Sequence, residues 1–175
     1  TPFQHKGFIP PEMFIGRTKE LADIRDMDGP NLVYGGRQLG KSILLRQVSF
    51  LDNQPNNGHY AFYFDMKNKN HSSVLTDITQ RLRKVKLLKR TVSDWDDFGN
   101  AMEDVLENVQ QLILLIDEAD AFILSANKIK DYPIEVLRMT QNKYPGRFKF
   151  VLAGLHNVIR FDKKTLSSNT VYGQL

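Results

Sequence analysis

Gly35-Gly36-Arg37-Gln38-Leu39-Gly40-Lys41-Ser42 is the stretch on which the reading of this chain turns. It has the pattern G-x-x-x-x-G-K-S, and its flanks have the matching form. Asn31-Leu32-Val33-Tyr34 before it is a short apolar strand. After it, from Lys41 to Leu51, Ile43, Leu44, Leu45, Val48 and Leu51 recur at helical spacing. The chemistry asks for this order. A polyphosphate needs several backbone N–H donors converging on its oxygens, and glycines let the backbone come close at positive φ. The first turn of the helix adds free N–H groups and a partial positive charge. In such a loop Lys41 reaches the β- and γ-phosphates and the Ser42 hydroxyl ligates Mg²⁺. Gly35, Gly36, Arg37, Gln38, Leu39, Gly40 and Ile43 complete the set of expected nucleotide contacts.

Working outward, Leu112-Ile113-Leu114-Leu115-Ile116 is a wholly apolar strand that ends in Asp117-Glu118-Ala119-Asp120. Two carboxylates at the end of a buried strand stand at the C-terminal edge of a parallel sheet. The phosphate loop, which also follows a strand, belongs to the same edge. Asp117 is the expected Mg²⁺ ligand, directly or through water, and Glu118 the base that polarises an attacking water. Asp120 reads as structural, in the first turn of the following helix. A water-activating glutamate suits a hydrolase better than a nucleotide kinase. Asn127-Lys128-Ile129-Lys130-Asp131 is one residue too long for the guanine-reading N-K-x-D motif, so ATP is favoured over GTP.

The rest of the chain alternates helix and strand. An amphipathic helix is expected over 16–27 and ends at Gly29-Pro30. A turn follows at 55–58 and a second strand at 60–64, whose Tyr60, Phe62, Tyr63 and Phe64 suit a strand covered on both faces. Further helices are expected over 73–88, after a Ser93 cap with Asp96 three residues on, and over 133–144. A fourth strand spans 148–153, and 156–164 reads as helical. Alternation of this kind implies an α/β fold with a mostly parallel sheet between helical layers.

At 175 residues, 41% of them hydrophobic and 25% charged, the chain has the balance of an ordinary globular domain. Lys and Arg exceed Asp and Glu by 24 to 20, too small an excess to point to nucleic acid by itself. The absence of cysteine excludes a disulfide scaffold, a thiol nucleophile and a thiolate metal site, and fits a cytoplasmic protein. The longest apolar run, 112–116, is far too short to cross a membrane, so no membrane association is expected. Six basic residues lie within 81–90. Their interleaved apolar partners Leu82 and Val85 suggest a solvated helix face, with phosphate-backbone binding as the alternative.

Several of these motifs together resemble AAA+ ATPases, in particular the STAND and origin-recognition-like branch of P-loop NTPases. Phe14-Ile15-Gly16-Arg17 followed by Glu20-Leu21 is similar to the family's F-x-G-R-x-x-E-L opening motif. Tyr34 to Ser42 resembles its Walker A loop, Leu115 to Asp120 its Walker B strand, and Phe150 to Asn157 its fourth strand. The resemblance implies a three-layer αβα core with strand order 5-1-4-3-2 and ATP at its C-terminal edge. It implies that Ile15, Gly16 and Arg17 lie near the adenine. It also implies that sensor 1 is His156 or Asn157; Asn157 is favoured, since a neutral amide bridges the γ-phosphate and the attacking water. The family's fifth strand and helical lid have no convincing counterpart after Ser167. The expected organisation is therefore a lead-in over 1–13, an ATPase core over 14–166 and a tail over 167–175, in a chain that is part of something longer. Residues 171–175 are at most a remnant of the fifth strand. The arginine finger stays open among Arg37, Arg147 and Arg160.

The functional expectation is Mg²⁺-dependent ATP binding and hydrolysis serving a conformational or assembly switch. ATP and ADP are the expected ligands, and a homo-oligomer or protein partner is reached through missing C-terminal domains. A non-hydrolysing nucleotide-binding module and a DNA-associated ATPase are the alternatives.

Overall fold

The computed structural model describes residues 17–35 and 40–155. Its elements run α1 (Thr18–Arg25), β1 (Leu32–Tyr34), α2 (Lys41–Asp52), β2 (His59–Asp65), α3 (His71–Lys84), α4 (Trp95–Glu107), β3 (Gln111–Asp117), α5 (Asp120–Asn127), α6 (Tyr132–Lys143) and β4 (Phe148–Gly154). The four strands form one all-parallel sheet in the order β1-β4-β3-β2. This is the expected α/β core, with strands 1 to 4 in the expected sequence across the sheet.

Strand periodicity divides the core into two layers. Leu112, Leu114, Ile116, Phe148, Phe150 and Leu152 face α3, α4, α5 and α6. Ile113, Leu115, Val151 and Ala153 face α1 and α2, against Ile24, Leu44, Leu45 and Val48. The central strand β4 is buried along its whole length. One lysine, Lys149, lies within it at 0% exposure, and its ammonium donates to the Asp26 carbonyl at the C-terminal end of α1.

β2 is an edge strand of the described sheet, covered on both faces as expected, with Phe62 and Phe64 in one apolar layer and Ala61 in the other, while Tyr60 and Tyr63 stay half-buried. Its outer backbone groups are met by α2. The Ser49 hydroxyl donates to the Ala61 carbonyl (2.8 Å), and the Ala61 N–H donates to Asn53 Oδ1 (3.3 Å).

α1 is shorter than the expected 16–27 and α3 begins two residues before 73, and two further boundaries differ for identifiable reasons. α3 stops at Lys84, short of residue 88, because Lys86 takes a left-handed φ of 63°. The Lys86 N–H then bonds the Arg83 carbonyl and the Leu87 N–H the Leu82 carbonyl, which is a Schellman motif. Only Arg81, Arg83 and Lys84 of the basic run are therefore helical; Arg83, Lys84, Lys86 and Lys89 are exposed. α4 is capped by Asp94, one residue after the expected Ser93. Asp94 Oδ1 accepts from the Asp97 N–H (2.8 Å), and Asp97 Oδ2 accepts from the Ser93 N–H (2.9 Å). Asp97 returns a bond to the residue before the cap and not to the cap's own N–H, so the arrangement is a variant of the capping box; Trp95 opens the helix and packs edge-on against Phe98.

Candidate nucleotide and metal site

The sheet's connectivity creates the crevice. The chain leaves β1 for α2 on one face, and leaves β3 for α5 on the other. Between them lies β4, so the ends of β1 and β3 diverge around it, the geometry at which open parallel sheets bind ligands. Tyr34 pairs with Gly154, and Ile116 with Leu152, so Gly35 and Asp117 emerge at the same edge. Two inter-strand spacings, about 10 Å, separate the two strand ends. Lys41 and Asp117 thus belong to one edge, as the sequence requires of them.

On the β1 side, Gly40 adopts φ 72° immediately before α2. A Cβ there would come within 2.8 Å of Arg17 Nη1, so glycine serves both the backbone turn and the close approach of this guanidinium. Arg17 therefore stands against the end of the loop, beside the first turn of α2. Lys41 is buried and its ammonium donates to the carbonyl of Gly35, the residue that follows β1 (2.9 Å). Ser42 is half-buried and Ile43 exposed. Ile15, Gly16, Gly36, Arg37, Gln38, Leu39, His156, Asn157 and Arg160 lie outside the described residues, as do the expected helix over 156–164 and the tail.

On the β3 side, Asp117 is 2% exposed. Its Oδ1 accepts from the Glu118 N–H (2.9 Å) and its Oδ2 from the Tyr63 hydroxyl (2.7 Å). Burial, and then the bond to this carboxylate, push the Tyr63 phenol well above its ordinary pKa. The Arg46 guanidinium lies over the Tyr63 ring, 4.3 Å from its centroid. Glu118 is exposed and holds a left-handed φ of 52°. Asp120 opens α5 without capping it; its Oδ2 accepts from the Leu155 N–H (2.8 Å), and Ala119 N–H bonds the Ala153 carbonyl. Asp120 thereby latches the exit of β4 to the turn after β3.

Sequence reasoning missed Tyr63, read only as a strand aromatic. The available signal was a hydroxyl-bearing residue two positions before the acidic end of β2. Other features fall away from the edge. Arg147 precedes β4 at the opposite end of the sheet, where it donates to the Val109 carbonyl (2.6 Å), away from this edge. Asn127 to Asp131 joins two helices and follows no strand. A cleft of about 330 Å³ between β2 and α3, lined by Asp65, Met66, Asp77, Arg81 and Lys84, shares only Tyr63 with the site.

Among the described residues no group of three or more His, Cys, Asp and Glu gathers as a metal cage. Mg²⁺ uses few protein ligands, typically one or two carboxylates with phosphate oxygens and water. A buried carboxylate with free lone pairs and a hydroxyl at the start of α2 fit that pattern. No helix among the described residues is long and apolar enough to cross a membrane.

No protein-family model and no curated protein matches this chain. Among solved structures, it is similar to the ORC2 protein of Aeropyrum pernix, described in ADPNP–ADP complexes, with a TM-score of 0.59 and 18% sequence identity. The match covers 97% of this chain and 50% of that one, so this chain spans half of its neighbour's length. At this identity the likeness speaks to architecture, and the chain shares the α/β parallel-sheet core of that nucleotide-complexed protein.

Proposed function

We propose that this chain is an AAA+-type ATPase domain that binds ATP with Mg²⁺ at the edge between β1 and β3 and hydrolyses it. The observation that carries the reading is the emergence of Gly35 and Asp117 side by side around β4, each at a strand's C-terminal end. The ADPNP–ADP complexes of the structural neighbour support a nucleotide as ligand.

The chain's own groups divide the work. The Gly35–Ser42 loop and the α2 N-terminus hold the phosphates through N–H groups. Lys41, now spent on the Gly35 carbonyl, exchanges that acceptor for phosphate oxygen. Ser42 and Asp117 would hold Mg²⁺, which when bound neutralises charge on the phosphate oxygens. Glu118, exposed at the same edge, takes a proton from the attacking water. Asn157 would orient that water, and Asp120 fixes the β4 exit that leads to it. Nucleotide state then acts on conformation or assembly.

The test is a melting curve with and without millimolar ATP and Mg²⁺. The wild type gains several degrees, and Lys41→Ala loses the gain. An unchanged wild-type curve rejects the site. Glu118→Gln keeps the thermal gain and loses phosphate release; undiminished turnover rejects the assigned base.

The exposed Arg83, Lys84 and Lys86 favour a second reading, a DNA-associated ATPase. Salt-dependent DNA affinity that falls when all three are replaced supports it, and indifference to DNA removes it.

A further inference from the structure

We propose that Tyr63 is a positioning residue for the Asp117 carboxylate, and that its hydroxyl sets the affinity of the site for Mg²⁺. The inference rests on the reading of Asp117 as metal ligand given above, and assigns that site a determinant on a strand that carries none of the expected motifs.

The packing does not require a hydroxyl at this position. Alternation along β2 puts Tyr63 with Ala61 on the face covered by α1 and α2, and its ring packs at the margin of that apolar cluster. Phenylalanine would supply the same surface. A polar atom in such a layer is costly unless bonded. Here the hydroxyl reaches diagonally: Tyr63 pairs with Leu115 and Asp65 with Asp117, yet the phenol spans the two-residue offset to Asp117 Oδ2 at 2.7 Å. That is a short, charge-assisted bond.

The bond has a definite effect on the carboxylate. Each oxygen of Asp117 receives one donor, the Glu118 N–H on Oδ1 and the phenol on Oδ2. Two anchors fix the carboxylate plane and leave lone pairs on each oxygen for a cation. With the phenol removed, the group keeps one anchor and turns about it. The ring is itself held. Arg46 covers its face at 4.3 Å and belongs to α2, the helix that opens on the phosphate loop. A line of contact therefore runs from α2 through Tyr63 to Asp117, joining the phosphate-holding and metal-holding halves of the site. Outer partners that orient a ligand typically change metal affinity without touching the metal.

The experiment uses the full chain and a fluorescent mant-ADP probe. Nucleotide affinity is measured first in EDTA, then as Mg²⁺ is titrated back, for wild type, Tyr63→Phe and Tyr63→Leu. The expected result is an unchanged metal-free affinity and a Mg²⁺ midpoint raised about tenfold or more in both variants. Melting curves without ligand confirm that each variant folds. If Tyr63→Phe keeps the wild-type midpoint and only Tyr63→Leu shifts it, the ring matters and the hydroxyl does not, and the proposal is overturned. Equal loss of affinity in EDTA and in Mg²⁺ also overturns it, because the damage is then general. A wild type that binds no nucleotide, or binds it without regard to Mg²⁺, overturns the underlying reading before any variant is compared.

Discussion

Gly40 and Lys149 show how single positions set limits on this molecule. Gly40 holds φ 72° with the Arg17 guanidinium against it. Gly40→Ala forces a side chain into the left-handed region, at about 1–2 kcal/mol, and displaces Arg17 as well. Chemical denaturation should show that loss of stability, and ATP should no longer shift the melting curve. Lys149 is a different case. Burial lowers its pKa to about 8 from 10.5, against the opposing pull of Asp26, Asp28 and Asp23. Between those two values the unfolded chain binds the proton and the folded chain does not, so stability attributable to this group rises with pH across that window and is lost as pH falls toward 8. The gain is of order 1–3 kcal/mol. Lys149→Met should remove this rise, read as the difference between wild-type and variant denaturation at pH 7.5 and pH 10. Parallel pH profiles would show that Lys149 does not titrate in this range.

At the scale of elements, what the sequence discloses depends on whether local chemistry or tertiary context has the last word. The phosphate-loop strand and helix, the third strand and its acidic end are legible because each is an uninterrupted local pattern. The end of α3 is not. Its C′ position, usually glycine, holds Lys86, so the apolar spacing of Ile78, Leu82 and Val85 gives no sign of the left-handed turn that follows. Lys86→Gly should therefore stabilise the fold by about 0.5–1 kcal/mol, as relief of left-handed strain outweighs the added chain entropy. Denaturation midpoints check this, and a loss of stability would count against the motif. Tyr63 was illegible for another reason. Its partner is 54 residues away on β3, and only the strand register brings the phenol to Asp117. Motif spacing discloses the residues proposed to meet a ligand, whereas the contacts that hold their side chains come from pairing across the sheet. Glu118 belongs between the two cases: its identity was legible, its φ of 52° was not.

For the molecule as a whole, order in space and order in sequence disagree. β4 is the last described strand in the chain and lies between β1, the first, and β3. β1 pairs with β4 and, among the described residues, with no other strand. A chain ending at Gly146 lacks that central strand and should show no cooperative melt, by circular dichroism, and no response to ATP. A cooperative transition in the truncated chain would mean that the first three strands form a sheet of their own.

The placement of β4 also bears on how the protein is made. Translation delivers the lysine loop early and its aspartate later, but the piece that holds them side by side arrives only when residues 148–154 are clear of the ribosome. Until then Leu32-Val33-Tyr34 is a greasy stub without β4, its strand partner among the described residues, and such nascent segments stick to others or are sheltered by chaperones. If the proposed site is right, fuel can be gripped only after the strand between the two halves has been threaded into place, and a stalled or prematurely terminated product should be inert toward nucleotide.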